Sequence, residues 1–140
     1  MEMIIRKIRK ENEDLKTFTS NLGSSSDTFT YFRSRSFDVL DNHILTVLGC
    51  VKNNPIAYGH LDKDGDTVWL GVCVVGSEVG KGYGKKIMDF LIDSANKKKL
   101  DLKLSVKKEN EVAIKLYKNY DFNIVSQDKI NMFMEKKYEN

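Results

Sequence analysis

The 140-residue chain has one proline, two cysteines, two histidines, one tryptophan and no long apolar run. Each scarcity excludes something. The lone Pro55 and the lack of a Pro/Gly/Ser-rich stretch leave no recognisable linker, and a chain this long can bury roughly two-thirds of its unfolded surface in one core. A single domain over residues 1–140 is expected. Cys50 and Cys73 form no CxxC pair, so they read as buried, unpaired strand residues rather than a redox or zinc motif. No stretch approaches the ~18 consecutive apolar residues of a membrane span, and the start lacks the apolar core of a secretory signal; the cytoplasm is the expected compartment. His43 and His60 form neither HxH nor HExxH. Asp62, Asp64 and Asp66 are only a fragment of a calcium loop and read as a polar turn, so no metal is expected.

Charge is present in both signs, with a formal net of +3, 31% charged and 41% apolar residues, a mixture that fits a soluble globular protein. Lys97, Lys98, Lys99, Lys103, Lys107 and Lys108 crowd together. A solvated helix end and strand face explains such a run, and attraction for an anionic ligand is the alternative. With no zinc-finger ligand set, no RRM-like aromatic signature and acids breaking the basic run, no nucleic-acid partner is expected.

Hydrophobic periodicity gives the element order. A β-branched run at Met3–Arg9 reads as a strand, and Leu15, Phe18 and Leu22 follow at helical spacing. Gly23 and Ser24-Ser25-Ser26 break that helix, and Ser26 or Asp27 can cap a second one carrying Phe29, Phe32, Arg33, Phe37 and Leu40. Three strands come next, over Ile44–Val51, Ile56–Leu61 and Thr67–Val75, separated by turns at Lys52–Pro55 and Asp62–Asp66. The third is apolar on both faces and belongs in the middle, covered by helices. Ile87, Met88, Leu91, Ile92 and Ala95 mark a helix; Leu100–Val106 alternates as a strand; a shorter helix starts near Asn110; strands around Phe122–Val125 and Ile130–Met134 close the chain. This pattern predicts an α/β (mixed α+β) fold, with a mixed, mostly antiparallel sheet of about six to seven strands flanked by about four helices.

One segment carries chemistry. In Val79-Gly80-Lys81-Gly82-Tyr83-Gly84-Lys85, three glycines lie between the central strand and the longest helix. Without side chains, backbone N–H groups can approach a ligand. At a helix start those groups lack intrahelical partners and the dipole adds positive potential, so the segment suits a phosphate or pyrophosphate. It is not a Walker A loop, since Lys85-Lys86-Ile87 offers no hydroxyl for magnesium. Nor does it follow the early strand of a dinucleotide fingerprint. A plain glycine turn is the bland alternative.

In this context the loop resembles the signature of the Gcn5-related N-acetyltransferase (GNAT) superfamily, which is Arg or Gln, two residues, Gly, one residue, then Gly or Ala. Val79 stands where that pattern has Arg or Gln. A second matching piece runs from Asn110 through Ala113, Leu116 and Tyr117 to Asp121-Phe122, similar to the family's Asn-xx-Ala-xx-Leu-Tyr helix and Gly-Phe corner, with Asp121 for the glycine. The resemblance implies the acyl-CoA N-acyltransferase fold and acetyl-CoA as donor substrate. Its pyrophosphate would lie on Val79, Gly80, Lys81, Gly82, Tyr83, Gly84 and Lys85, and its pantetheine arm along Val72, Cys73 and Val74, with a strand N–H near Val72 or Cys73 facing the thioester oxygen. Tyr117 would be the general acid, or only the aromatic anchor of its helix. Asn110 would contact the pantetheine arm or cap the helix.

The base is less determined. Deprotonating a lysine-like amine at pH 7 costs roughly 4–5 kcal/mol, so something must take that proton. His60 has the most suitable intrinsic pKa, although a lone strand histidine is often structural; Glu78, Asp62 and ordered water are alternatives. The resemblance implies a primary amine of a small molecule as acceptor, with an amino sugar among the candidates, since early segments similar to Thr28–Arg33, with its hydroxyls, aromatics and arginine, occur in family members that acetylate nucleotide-linked amino sugars. A protein or peptide N-acetyltransferase and a non-catalytic acyl-CoA-binding module remain alternatives. Either monomer or homodimer fits.

Overall fold

The computed structural model describes residues 2–139. Seven strands form one sheet in the order β1-β2-β3-β4-β5-β7-β6, comprising β1 (Ile4–Lys7), β2 (His43–Val51), β3 (Asn54–Asp64), β4 (Thr67–Val74), β5 (Leu102–Lys107), β6 (Asn123–Gln127) and β7 (Asn131–Lys136). All neighbours pair antiparallel except β4 and β5. Three α-helices cover it: α1 (Glu13–Ser20), α2 (Tyr83–Lys97) and α3 (Glu111–Asn119).

The second expected helix takes another form. Between α1 and β2 the chain makes two short 3-10 turns, Gly23–Asp27 and Phe37–Asn42, with bends between them. Its aromatics do pack as a core, but through loop geometry: Phe29 and Phe32 both face the buried Tyr58, which also stacks on Phe18. Their spacing mimics helical periodicity because the segment folds back on one spot.

Hairpin chemistry sets the meander. Lys52 and Asn53 both hold positive φ and form a two-residue turn between Val51 and Asn54, so Pro55, expected in the turn, lies in β3. Gly65 makes the next turn, and the strand residues Asp62 and Asp64 precede it. The face of β3 that carries Gly59 receives α2. A Cβ there would lie 2.6 Å from Ile87, so its absence lets the helix sit close. Ile87, Met88 and Leu91 are fully buried. The opposite face carries Tyr58, His60 and Asp62 and lies under the α1–β2 segment. Cys50 and Cys73 are free and buried. Among the described residues no helix is long and apolar enough to cross a membrane.

Candidate active site

Geometry in the glycine segment follows from backbone angles rather than crowding. Gly80 (φ 81°) and Gly82 (φ 87°) are left-handed, and a Cβ on either would meet nothing within 4 Å. Gly82 caps α2 without a side chain, and the helix begins with Lys86 N–H donating to Gly82 O at 3.3 Å. The N–H groups of Tyr83, Gly84 and Lys85 therefore have no acceptor among the described residues. Gly84 rests against Val74 at 3.7 Å. Lys81 turns back to Glu78 at 2.7 Å. It alone of the loop residues named above does not line the adjoining cleft of about 1070 Å³.

The cleft opens where β4 leaves β5. These strands share one bridge, Trp69↔Lys103, and diverge beyond it. On the other edge β4 stays in register with β3, from Asp64↔Thr67 to Ala57↔Val74, and Val75 N–H donates to Ile56 O at 2.9 Å. Antiparallel alternation then assigns the Cys73 backbone to β3 and turns the backbone groups of Val72 and Val74 into the gap. Sequence reasoning expected a strand N–H near Val72 or Cys73 to face the thioester oxygen; the register turns the N–H of Val72, and not that of Cys73, into the gap. The Val74 carbonyl already accepts from Ser25 Oγ at 2.6 Å.

That serine belongs to a brace the sequence did not disclose. Gly76 N–H donates to Leu22 O at 2.8 Å, a Cβ on Gly76 would lie 2.4 Å from Ser24 Oγ, and Lys107 Nζ donates to Asp27 O at 2.7 Å. The Gly23–Asp27 turn is thus tied to β4 on one side of the gap and to β5 on the other. The serine run looked only like a helix breaker because these ties are long-range.

Two side chains present unpartnered polar atoms here. Helix α3 is capped by Asn110, whose Oδ1 accepts from Ala113 N at 3.2 Å, and it carries Tyr117 against Phe122. Tyr117 is 9% exposed, and burial, with the nearby Cys73 thiol, pushes its pKa up to about 12. His60 is 3% exposed; its Nδ1 shares a hydrogen bond with Tyr58 Oη at 2.7 Å. Burial holds it well below the usual histidine range, with His43 and Arg35 adding repulsion. Among the described residues every fully buried side-chain N or O atom has a partner. Tyr117 Oη and His60 Nε2 have none, so both reach the cleft they line.

A directed chain ends beside them. Tyr31 Oη donates to Asp62 Oδ2 at 2.7 Å and contacts His43 Nε2 at 2.7 Å. The donation to Asp62 makes Tyr31 the acceptor from His43, whose Nδ1 then accepts from Thr46 Oγ1 at 2.7 Å. Burial and Asp62 raise the Tyr31 pKa, while burial lowers that of His43. The arginine at the cleft is Arg35, not Arg33. Arg33 donates to Ser26 O, whereas Arg35 lies over the Tyr31 ring, 4.5 Å from its centroid. Arg35 carried no spacing signal. Glu78 lines the cleft paired with Lys81. Among the described residues no three His, Cys, Asp or Glu side chains converge as a metal-binding set.

The open Val72 edge, the left-handed glycines and the free N–H groups of α2 suit an extended ligand that carries a pyrophosphate. No curated protein matches the sequence. Among solved structures, the ribosomal-protein-S18-alanine N-acetyltransferase from Escherichia coli aligns with TM-score 0.78 at 17% identity, covering 99% of this chain and 96% of that one. The paia N-acetyltransferase from Thermoplasma acidophilum in complex with coenzyme A gives 0.77 at 20% identity, covering 99% and 100%. The Salmonella typhimurium protein yncA with its cofactor acetyl-CoA gives 0.74 at 18%, covering 100% and 96%. These likenesses establish the fold. The model of the acetyltransferase (GNAT) family matches residues 7–122, and the chain accordingly belongs to that family of acetyl-CoA-dependent N-acetyltransferases.

Proposed function

We propose that the protein transfers the acetyl group of acetyl-CoA to a primary amine of a small molecule by direct attack of the amine on the thioester. The observation that carries this reading is the pair of unpartnered polar atoms, Tyr117 Oη and His60 Nε2, on one cleft whose wall includes the open backbone of Val72.

The residues divide the work. The N–H groups of Tyr83, Gly84 and Lys85, with the turn at Gly80 and Gly82, hold the pyrophosphate; Val79 and Lys81 flank it. The backbone of Val72 and Val74 lines the pantetheine arm beside Asn110 and the Cys73 side chain, and Val72 N–H meets the oxygen that gains charge during attack. His60 Nε2 takes a proton from the amine as the N–C bond forms. This requires the tautomer in which Nδ1–H donates to Tyr58. Tyr117, protonated at neutral pH, gives its proton to the thiolate as the C–S bond breaks.

A small acceptor is favoured because residues of Thr28–Arg35 line the same cleft end as His60 and Asp62 and surround it with aromatic and polar side chains. An amino sugar fits such surroundings. The two free, buried thiols fit a reducing, cytoplasmic setting, and the enzyme acts there as one domain, as a monomer or homodimer. Thiol release from acetyl-CoA against a panel of amino sugars, amino acids, polyamines and short peptides tests the reading. Amine-dependent release with a matching acetylated small molecule is the expected result. Release with peptides alone would turn the reading to a protein acceptor, and saturable donor binding without release for any amine would overturn it.

A further inference from the structure

Tyr31 holds two opposite charges in place at once. Its hydroxyl donates to Asp62 Oδ2 at 2.7 Å, backed by His43. Its carbonyl accepts from Arg35 Nη1 at 3.0 Å, and its ring lies under the same guanidinium. The His60 ring is 4.4 Å from the Tyr31 ring, centroid to centroid. Tyr31, Arg35, His60 and Asp62 all line the cleft.

Neither charge is neutralised by an ion pair. Among the described residues no carboxylate lies within salt-bridge distance of Arg35, and no ammonium or guanidinium within that distance of Asp62. Arg35 spends one of its five N–H donors on Tyr31 and keeps the others for a ligand. Asp62 spends one oxygen on Tyr31. A guanidinium fixed by a hydrogen bond and a ring face loses less freedom when it meets an anion than a free one does.

We propose that this end of the cleft is a bipolar acceptor subsite, in which Asp62 receives the ammonium of the acceptor and Arg35 receives an anionic group on the same molecule. The acceptor is then a small primary amine that also carries a carboxylate or a phosphate. The inference rests on the acetyl-transfer reading and narrows its substrate class. Held at Asp62, the ammonium gives one proton to solvent to become the attacking amine, and His60, two residues away on the same strand face, takes the second as the N–C bond forms. The subsite disfavours polyamines, whose remaining charges would face Arg35 and the neighbouring Lys63.

The sole tryptophan, Trp69, lines the same cleft and reports binding without turnover. Its fluorescence is titrated with amino acids against their carboxamides, and with glucosamine 6-phosphate against glucosamine. At least one charged probe binds about tenfold or more tightly than its neutral counterpart. That preference falls to within about twofold in Arg35→Met and partly returns in Arg35→Lys. The pair that shows it identifies carboxylate or phosphate. Because both members of a pair are measured on one sample, partial unfolding of a variant leaves their ratio intact. Equal binding of charged and neutral probes, a preference that survives Arg35→Met, or no saturable binding of any charged probe overturns the inference. Turnover of neutral amines alone would do the same and leave the acetyl-transfer reading standing. Binding of a charged probe with no acetylation of any amine would sink that reading instead.

Discussion

A Cβ on Gly71 would lie 2.4 Å from Nε2 of His60 and 2.6 Å from its Cε1. The two residues are cross-strand partners on β4 and β3, and the imidazole crosses the glycine to reach the cleft. Its far side is fixed by Tyr58, so the ring has little room to retreat. The bare backbone at Gly71 is therefore what allows a strand histidine to present Nε2 where β4 opens.

Gly71→Ala tests that relationship. The added methyl pushes the ring from its place, and a displacement near 1 Å at a reacting group costs about 10²-fold in kcat/KM. Overpacking also lowers stability by about 1–3 kcal/mol. Steady-state kinetics with a urea melt checks both. Wild-type kcat/KM in a folded Gly71→Ala protein would remove His60 from the chemistry.

The depressed His60 pKa also predicts how stability varies with pH. In the unfolded chain the imidazole titrates near 6.5, whereas burial keeps it neutral in the fold to much lower pH. Below about pH 6.5 the unfolded state binds a proton that the native state refuses, so stability present above that pH is lost on acidification. His43 adds a shift of the same sign. Urea midpoints measured from pH 8 to pH 5 should fall in the wild type and fall less in His60→Gln. Parallel profiles would mean that His60 titrates normally.

Tyr117→Phe should lower kcat about 10²-fold, the smaller end of what a positioned general acid contributes, while retaining the ring that packs on Phe122. A pKa of about 12 keeps the wild-type hydroxyl protonated through any ordinary assay range. No alkaline decline in kcat should therefore trace to this group below pH ~10. A loss in kcat confined to poor leaving thiols would still support proton donation. Unchanged kcat would reduce Tyr117 to a core anchor.

Much of the fold was legible because its signals are local. Alternation gave the strands, helical spacing gave α1, α2 and α3, and the glycine cluster marked the turn that opens the longest helix. What could not be read there depends on contacts far apart in sequence. Phe29 and Phe32 imitate a helix because both turn toward Tyr58, and Phe37 packs on Phe32. Val74 and Lys107 meet the same short turn from opposite strands, through Ser25 and Asp27. The choice of Val72 over Cys73 rests on register alone, which residue types do not encode when both faces are apolar. Arg35 gained its place through Tyr31, two loops away from Asp62.

Gly82 and Gly84 look alike in sequence but should respond oppositely to alanine. Gly82 holds φ 87°, where a Cβ costs roughly 1–2 kcal/mol. Gly82→Ala should therefore distort the loop and raise KM for acetyl-CoA. Gly84 is helical, with only ordinary contact to Val74 at 3.7 Å. Alanine there gains up to about 1 kcal/mol of helix propensity. Thermal melts and donor KM for the two variants check the contrast; equal behaviour would mean that the loop is not held by backbone conformation.

The exit from α3 offers the reverse experiment, a substitution that should stabilise. Asp121 sits at φ 69°, Phe122 N–H donates to Tyr117 O at 3.2 Å, and Asp121 N–H donates to Lys118 O at 3.0 Å. These two bonds form a Schellman motif, whose left-handed residue is usually glycine. Asp tolerates that conformation better than most residues but retains part of the Cβ penalty. Glycine loses more entropy on folding, which offsets some of the gain. The balance predicts that Asp121→Gly raises stability by about 0.5 kcal/mol, seen as a higher urea midpoint. Its effect on kcat should be small, because the motif carries Tyr117 by its carbonyl rather than its hydroxyl. A destabilised variant would mean that the Asp121 side chain makes a contribution larger than the strain it imposes.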